Sequence, residues 1–416
     1  FAFDIDPITM KVGKTIKLLS TKKKVRGSTA MTGFYKFQKL NKFHVSTNFD
    51  NNILMINYSL VPEIKKDKNS KEIVGFHVFD ETLKKVWSQE LQMPEFENRL
   101  DVSQSCIDKN FNVHMLVKIY HDDTRKDQLK DGSINHHWEM FNIDGEMNGV
   151  ERSKLGLKGT KVLRSMSFFE GDEDDIILAG YYADNAKSAP SGTFTILLSN
   201  IGEQSDAITT PFDIKEFKKY NKEKQQAKID KNSTSDDVSI GSLVLRNVKL
   251  LPDGSITTAG EIYYVVTHVD SKGRVSYTYY SQDIYAMNVQ KDGTLNWFRK
   301  IPKNQISGGT YGLGYSLITN GTDNYFVFLD NVKNLGLSTT DRPAVHNPGK
   351  GGFLTSYKIE SDGKVTQHSI LDTKKFKEYS LYQFSPTRIL PLVDGFAVEF
   401  YIKKKQDLMI RVRFNE

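Results

Sequence analysis

Residues 285–297 read YAMNVQKDGTLNW, and residues 76–87 read FHVFDETLKKVW. In both, alternating apolar positions run into a polar turn that contains Asp. A Trp (Trp297, Trp87) then returns at the same place on the following strand. Alternation of this kind marks a half-buried β-strand. Asp292-Gly293 marks a hairpin turn, because Gly takes positive φ without steric cost. Weaker copies lie at 138–150 (WEMFNIDGEMNGV), 353–370, 193–204 and 1–18. A second unit alternates with the first: a strand, a polar turn and a strand rich in β-branched and aromatic residues. It recurs at 43–60, 100–120, 162–183, 243–266, 312–330 and 385–402. Joined in chain order, the two units make a four-stranded antiparallel blade, and blades repeated at this period are the signature of a β-propeller.

The sequence therefore predicts an all-β fold, a single β-propeller domain over residues 1–416. Six first-hairpin copies stand against seven third-strand copies, counting the N-terminal run and Asp407–Phe414. We read six four-stranded blades, with seven as the alternative count. On this reading the run from Phe1 joins 407–414 and closes the last blade, which removes an open sheet edge.

Residues 211–237, PFDIKEFKKYNKEKQQAKIDKNSTSDD, break the β pattern. Phe212, Ile214, Phe217 and Tyr220 fall at helical spacing, and Pro211 suits a helix start. The segment predicts a helix of about four turns inserted between blades, followed by a flexible tail. Its apolar face either packs on the propeller rim or docks a partner through Phe212, Phe217 and Tyr220.

Composition narrows the function classes. Of 416 residues, 38% are hydrophobic and 11% aromatic, enough for a sizeable core. Net charge is +6 and mixed along the chain, which is no nucleic-acid footprint. The runs Lys22–Lys24 and Lys403–Lys405 read as solvated loops. The single cysteine, Cys106, permits no internal disulfide and reads as a small buried hydrophobe. No window reaches the length of a transmembrane helix. The chain opens in a strand-like run without an initiator Met, as a processed or truncated chain would.

Chemistry-bearing residues are sparse. Arg164, Arg246 and Arg388 each sit on a first strand, six or seven residues before its turn. Equivalent positions would bring three guanidiniums to one mouth of the central channel, a set suited to a carboxylate or other anion. The alternative is that each pairs with a nearby acid such as Glu261 or Glu399. His121, Asp122, Asp123, His136 and His137 flank one hairpin loop but match no defined metal spacing. The acidic run Asp172–Asp175 lacks the Gly placement of a calcium loop and reads as a turn. Trp87, Trp138 and Trp297 read as packing between blades. No nucleophile elbow, P-loop, zinc helix or dinucleotide fingerprint occurs in a suitable context.

Residues 252–331 carry a more specific likeness. A "DG…E-x-Y" strand (253–263), a hairpin from Asp283-Ile284 through Asp292-Gly293 to Trp297, the exit Ile301-Pro302-Lys303-Asn304-Gln305 and a "Y-x-x-F-x-D" strand (325–330) follow a charged helix at 212–228. This block resembles a group of exported β-propeller proteins of Bacteroidota with no assigned activity. The resemblance implies a propeller exported to the periplasm or cell surface. It covers about half the chain.

The expectation is thus a non-enzymatic binding scaffold, an accessory subunit of a periplasmic or cell-surface assembly. Its partner would be a protein, with peripheral association to outer-membrane proteins, and no cofactor, metal or nucleic acid. The alternative is a propeller that binds or degrades glycans at the channel mouth. Several carboxylates with aromatics in one pocket would favour that alternative. An apolar patch on the rim or on helix 212–228 would favour the scaffold.

Overall fold

The computed structural model describes every residue except 6–10, 34–35, 41, 49, 63–69, 147–148, 172–174, 200–201, 233–237, 350, 374–380, 403–405 and 415–416. The Lys403–Lys405 run, most of the acidic turn at Asp172–Asp174 and the expected tail at 233–237 therefore lie outside the described residues.

The chain is nearly all β, a β-propeller fold built from consecutive antiparallel meanders. All six first hairpins read from the sequence are present. Five of them belong to four-stranded sheets and one to a three-stranded sheet. Chain contacts divide the molecule into two compact units, residues 1–158 with 168–178 and 196–207, and residues 159–167 with 179–195 and 208–416.

The first unit holds two complete sheets. One is His44–Thr47 (β5), Leu54–Ser59 (β6), Lys71–Phe79 (β7) and Lys85–Phe96 (β8). The other is Leu100–Ile107 (β9), Val113–Tyr120 (β10), His136–Ile143 (β11) and Glu151–Leu155 (β12). Their inward faces interlock through Met55, Phe76, Met93, Met115 and Phe141, all fully buried. Trp87 packs against this core and donates from Nε1 to Phe111 O at 2.9 Å. Two shorter hairpins precede these sheets: Ala2–Ile5 (β1) with Val12–Ile16 (β2), and Ser28–Gly33 (β3) with Lys36–Leu40 (β4).

The strands Val162–Glu170 (β13), Ile176–Ala183 (β14), Gly192–Leu198 (β15) and Ile208–Pro211 (β16) form a sheet whose segments divide between the two units.

The second unit holds three sheets. The longest strands are Leu243–Leu250 (β17), Ile256–Val269 (β18), Val275–Val289 (β19) and Leu295–Ser307 (β20). Next come Ser316–Asn320 (β21), Asp323–Asp330 (β22), Phe353–Ile359 (β23) and Val365–Asp372 (β24), then Leu381–Leu392 (β25), Gly395–Ile402 (β26) and Gln406–Arg413 (β27). Trp297 is buried where the first two of these sheets meet, among Phe326, Phe328 and Tyr357. The Trp at the end of the diagnostic hairpin is thus a packing residue.

Two expectations change. The run from Phe1 does not extend the last sheet: among the described residues β1 pairs with β2, and β27 is the edge of a three-stranded sheet. The partner nearest in sequence takes the strand, because a short loop costs little entropy to close. The insertion is also not one helix of four turns. It is Ile214–Lys218 (α1) and Glu223–Asn232 (α2). Tyr220 has φ +57, in the left-handed region, and stops the first helix. Asp213, not Pro211, starts it, its side chain accepting from Lys215 N at 2.7 Å. Pro211 ends the outermost strand β16, where a missing N–H costs no ladder bond.

Gly293, read as the turn residue, has φ +82, and a Cβ there would meet Ile208 Cγ2 at 2.1 Å. Gly293→Ala should cost about 1–3 kcal/mol from backbone strain and overpacking together. The urea midpoint should fall at unchanged m-value. An unchanged midpoint would contradict the turn assignment.

Candidate functional site

The β17–β20 sheet is irregular at one level on every strand. Pairing skips Arg246 between β17 and β18, Ile262, Gln282 and Asp283 between β18 and β19, and Asp283, Pro302 and Lys303 between β19 and β20. Bulges re-aim side chains and leave backbone groups unpaired. Here Lys303 N donates to Asp283 Oδ1 at 3.3 Å, so one side chain answers an amide the ladder has dropped. Pro302 is tolerated in the strand because a bulge needs no ladder donor there.

The bulges gather charge in the interior. Lys303 is fully buried and Glu261 is 2% exposed. Lys303 Nζ donates to Glu261 Oε2 at 2.7 Å and to Gln305 Oε1 at 3.3 Å, and also bonds the Ser281 hydroxyl. Ser281 Oγ donates to Glu261 Oε2 at 2.6 Å, and Arg246 Nε reaches Glu261 Oε1 at 2.9 Å. Burial alone would raise the Glu261 pKa. The Lys303 ammonium, the two hydrogen bonds and Arg246 overcome it and hold the carboxyl below its ordinary range. Gln305 completes the layer, donating to Leu329 O at 2.9 Å and accepting from Gly314 N at 2.8 Å.

Asp330 and His346 lie close enough to feel the Lys303 charge. Burial pushes Asp330 up to about 6, against hydrogen bonds from Asn334 and the Asn331 amide. Burial, then Lys303, pushes His346 down to about 4. The two have opposite signs in linkage. A raised carboxyl loses stability as pH rises through its folded pKa, and a lowered imidazole loses stability as pH falls through its own. Between about pH 4 and 6 they nearly cancel. Asp330→Asn removes one of them, so its stability should rise by up to about 1.4 kcal/mol per pH unit more steeply than wild type over that window. Urea titrations at pH 4.5 and 5.5 check this, and parallel wild-type and variant profiles would contradict it.

Above the buried layer opens a cleft of about 470 Å³. Arg246, Glu261, Tyr263, Tyr315, Ser385 and Pro386 line it, together with the loop Thr310–Gly314. The Arg246 guanidinium lies 5.0 Å from the Tyr263 ring centroid, a cation–π contact, and its side chain is 38% exposed. Tyr311 stands 76% exposed on a loop whose Gly312 and Gly314 take φ +74 and +97. The Tyr315 hydroxyl is buried with no hydrogen-bond partner among the described residues, and burial keeps it protonated. The arrangement can hold an anion against Arg246 and a flat ring against Tyr311. Glu261, the carboxylate at the cleft, is already engaged by Lys303, Ser281 and Arg246.

The three arginines read from the sequence have separate roles. Arg246 lines the cleft. Arg164 donates to loop carbonyls including Ala186 O at 2.8 Å, and Arg388 pairs with Glu399. Neither of these two lines the cleft. The insertion residues are packed against their own unit. Phe212 is 1% exposed, stacked on Phe298 at 5.1 Å and edge-on to Tyr181 at 5.7 Å. Phe217 stacks on Tyr285 at 6.2 Å, with Lys300 Nζ over both rings. Lys300 also donates to Lys219 O at 2.8 Å, a cation at the end of α1 where the helix dipole is negative. Tyr220 is part-buried, its amide held by Thr339 O at 2.6 Å.

In the first unit His121 Nε2 lies 3.1 Å from His137 Nδ1, and His137 Nε2 lies 2.9 Å from Glu139 Oε1. Asp122 caps its own loop through Thr124 and Asn135, and Asp123 pairs with Arg99 at 2.8 Å. Among the described residues no three metal-ligating side chains form a group. The Cys106 thiol is pushed up by burial.

Lys303, Ser281, Gln305 and Tyr311 were not singled out from the sequence as site residues. The sequence carries only a weak signal for them: a Pro interrupts the strand that carries Lys303 and Gln305.

No protein-family model and no curated protein matches the sequence. Among solved structures, the chain is similar to a polysaccharide lyase, an ulvanlyase bound to -[GlcA(1-4)Rha3S]-, at 11% identity over 92% of this chain and 81% of that one, with a TM-score of 0.42. It is similar to a protein of unknown function from Bacteroides caccae at 10% identity, over 82% of this chain and 87% of that one, TM-score 0.31. It is also similar to an α-L-arabinofuranosidase from Fusarium graminearum at 10% identity, over 89% and 91%, TM-score 0.34. Overlaps this loose carry no inference about activity.

Proposed function

We propose that this chain binds an anionic glycan, one bearing carboxylate or sulfate groups, at the Arg246–Tyr263–Tyr311 cleft. The observation that carries the reading is the charge and ring pattern of the cleft. One carboxylate, Glu261, is shared by two cations, Lys303 and Arg246. A half-exposed guanidinium is thus left facing the opening beside an exposed Tyr. Arg offers planar donors to an acidic group, and Tyr offers a flat apolar face with a polar edge. Binding suits the site better than cleavage, because Glu261 is tied down on both oxygens.

The protein-scaffold reading rests on the repeat ring, its variable loops, the inserted amphipathic helix and the lack of a nucleophile–base or metal motif. Phe212 and Phe217 of that insertion pack on the sheet, which favours the cleft over the insertion as the contact site. Export to the periplasm or cell surface belongs to the same proposal, on the likeness of residues 252–331 to exported propellers.

Affinity electrophoresis tests it. Gels cast with polygalacturonate or chondroitin sulfate should retard the protein, and gels cast with dextran should not. Arg246→Gln should weaken retention about 10–100-fold, the worth of a charged hydrogen bond. Equal mobility in acidic and neutral gels, for wild type and variant alike, would contradict the reading.

A further inference from the structure

We infer that the ligand is a polymer, and that the arm formed by the outer parts of β18 and β19 is its second contact surface. This rests on the cleft reading above. Pairing of β17 with β18 ends at Leu243–Ile262, and pairing of β20 with β19 ends at Ser307–Tyr279. Beyond those points β18 and β19 pair only with each other, from Val266–Thr278 to Val269–Val275. The arm therefore extends about 10 Å as a two-stranded ribbon before its turn.

Strand alternation gives the ribbon two faces. On one, Tyr264 stacks on Tyr280 at 4.6 Å and His268 bonds Thr278 Oγ1 at 3.0 Å. On the other, Tyr263, Val265, Thr267 and Val269 lie opposite Ser281, Tyr279, Tyr277 and Val275. That second face is open: Val265 is 43%, Tyr277 50% and Val269 66% exposed. Among the described residues neither Tyr277 nor Tyr279 has an aromatic partner. A surface this apolar on a ribbon that protrudes is a contact site.

Its position says what covers it. Tyr263 is both the root of this face and a wall of the cleft, so the surface runs outward from Arg246 without a break. The far end is positive as well. There Arg274 pairs with Asp270 at 2.7 Å and Lys272 adds a second cation, leaving the turn with a net charge of +1. Positive charge at both ends and rings between them match an extended anionic chain. A tyrosine pair offers stacking faces at alternate strand positions, with hydroxyl edges for the sugar hydroxyls.

The test compares wild type with a Tyr277→Ala/Tyr279→Ala variant, by calorimetry, using chondroitin sulfate and galacturonate oligosaccharides from disaccharide to decasaccharide. Wild type should bind the decasaccharide about tenfold more tightly than the disaccharide, the worth of two stacked rings. The variant should bind the disaccharide like wild type and lose the advantage of length. Length dependence kept in the variant, or missing in wild type, overturns the arm while Arg246-dependent disaccharide binding leaves the cleft reading standing. Absence of any Arg246-dependent binding overturns both. Concentration-dependent dimerisation of wild type that the variant abolishes, measured by sedimentation velocity, would assign the face to a second copy and overturn the inference.

Discussion

Glu261→Gln is expected to destabilise the protein by about 3–5 kcal/mol. Lys303 is fully buried, and its ammonium is answered by Glu261 at 2.7 Å. Gln keeps the shape but removes the charge, and Ser281 and Gln305 are dipoles that cannot replace it. An unpaired ammonium in the interior must then deprotonate or draw in water, and both cost folding free energy. Lys303→Met is the informative contrast. It removes the buried cation and leaves Glu261 with Ser281 and Arg246, so the loss should be clearly smaller. An apolar group of similar volume often replaces one member of a buried ion pair at little cost when the other keeps a partner. Urea unfolding of the two variants measures the difference. A Glu261→Gln loss below about 1 kcal/mol would mean the pair is not the closed, dry network described. The pH sign follows from the lowered Glu261 pKa: its contribution is present above the ordinary carboxyl range and is lost as pH falls through the folded value.

Phe212→Ala should cost about 3–5 kcal/mol, the usual loss for removing a fully buried Phe without refilling the space. Its ring is held between Phe298 and Tyr181. The loss should be local as well as global. Phe212 is the residue just before the N-cap of α1, so its removal should loosen α1 and α2 from the sheet. Limited proteolysis should then cut within 214–232 at protease levels that leave wild type intact, while Phe212→Leu resists cutting for much longer. Cutting at the wild-type rate in Phe212→Ala would contradict the anchoring role.

The blades were legible because strand alternation and turn chemistry are local. The hairpin from Tyr285 to Trp297 states its own structure: the turn needs positive φ at Gly293, and the Trp faces inward by period. The insertion was half legible. Helical spacing marked the helix but not the break at Tyr220, which follows from a tertiary bond to Thr339. The site was the least legible part. Arg246, Glu261, Ser281 and Lys303 lie on four strands that come to one level only through coincident bulges, and register slips of this kind leave little local trace. A Lys flanked by Pro302 and Asn304 looks like an exposed strand end. The arginines on the first strands were visible, yet equivalence of position did not make them neighbours in function: Arg164 ties a loop and Arg388 ties a hairpin.

The proposed ligand is an acidic glycan in the cleft above the Glu261–Lys303 pair. Hydrogen exchange tests it most directly, read by mass spectrometry with and without a galacturonate or chondroitin sulfate decasaccharide. Exchange should slow in the loop Gly308–Tyr315 and in the outer part of β18, and stay unchanged in β5–β12. At the same ligand concentration Arg246→Gln should show clearly less slowing. Protection confined to the first unit, or equal protection in wild type and Arg246→Gln, would contradict it.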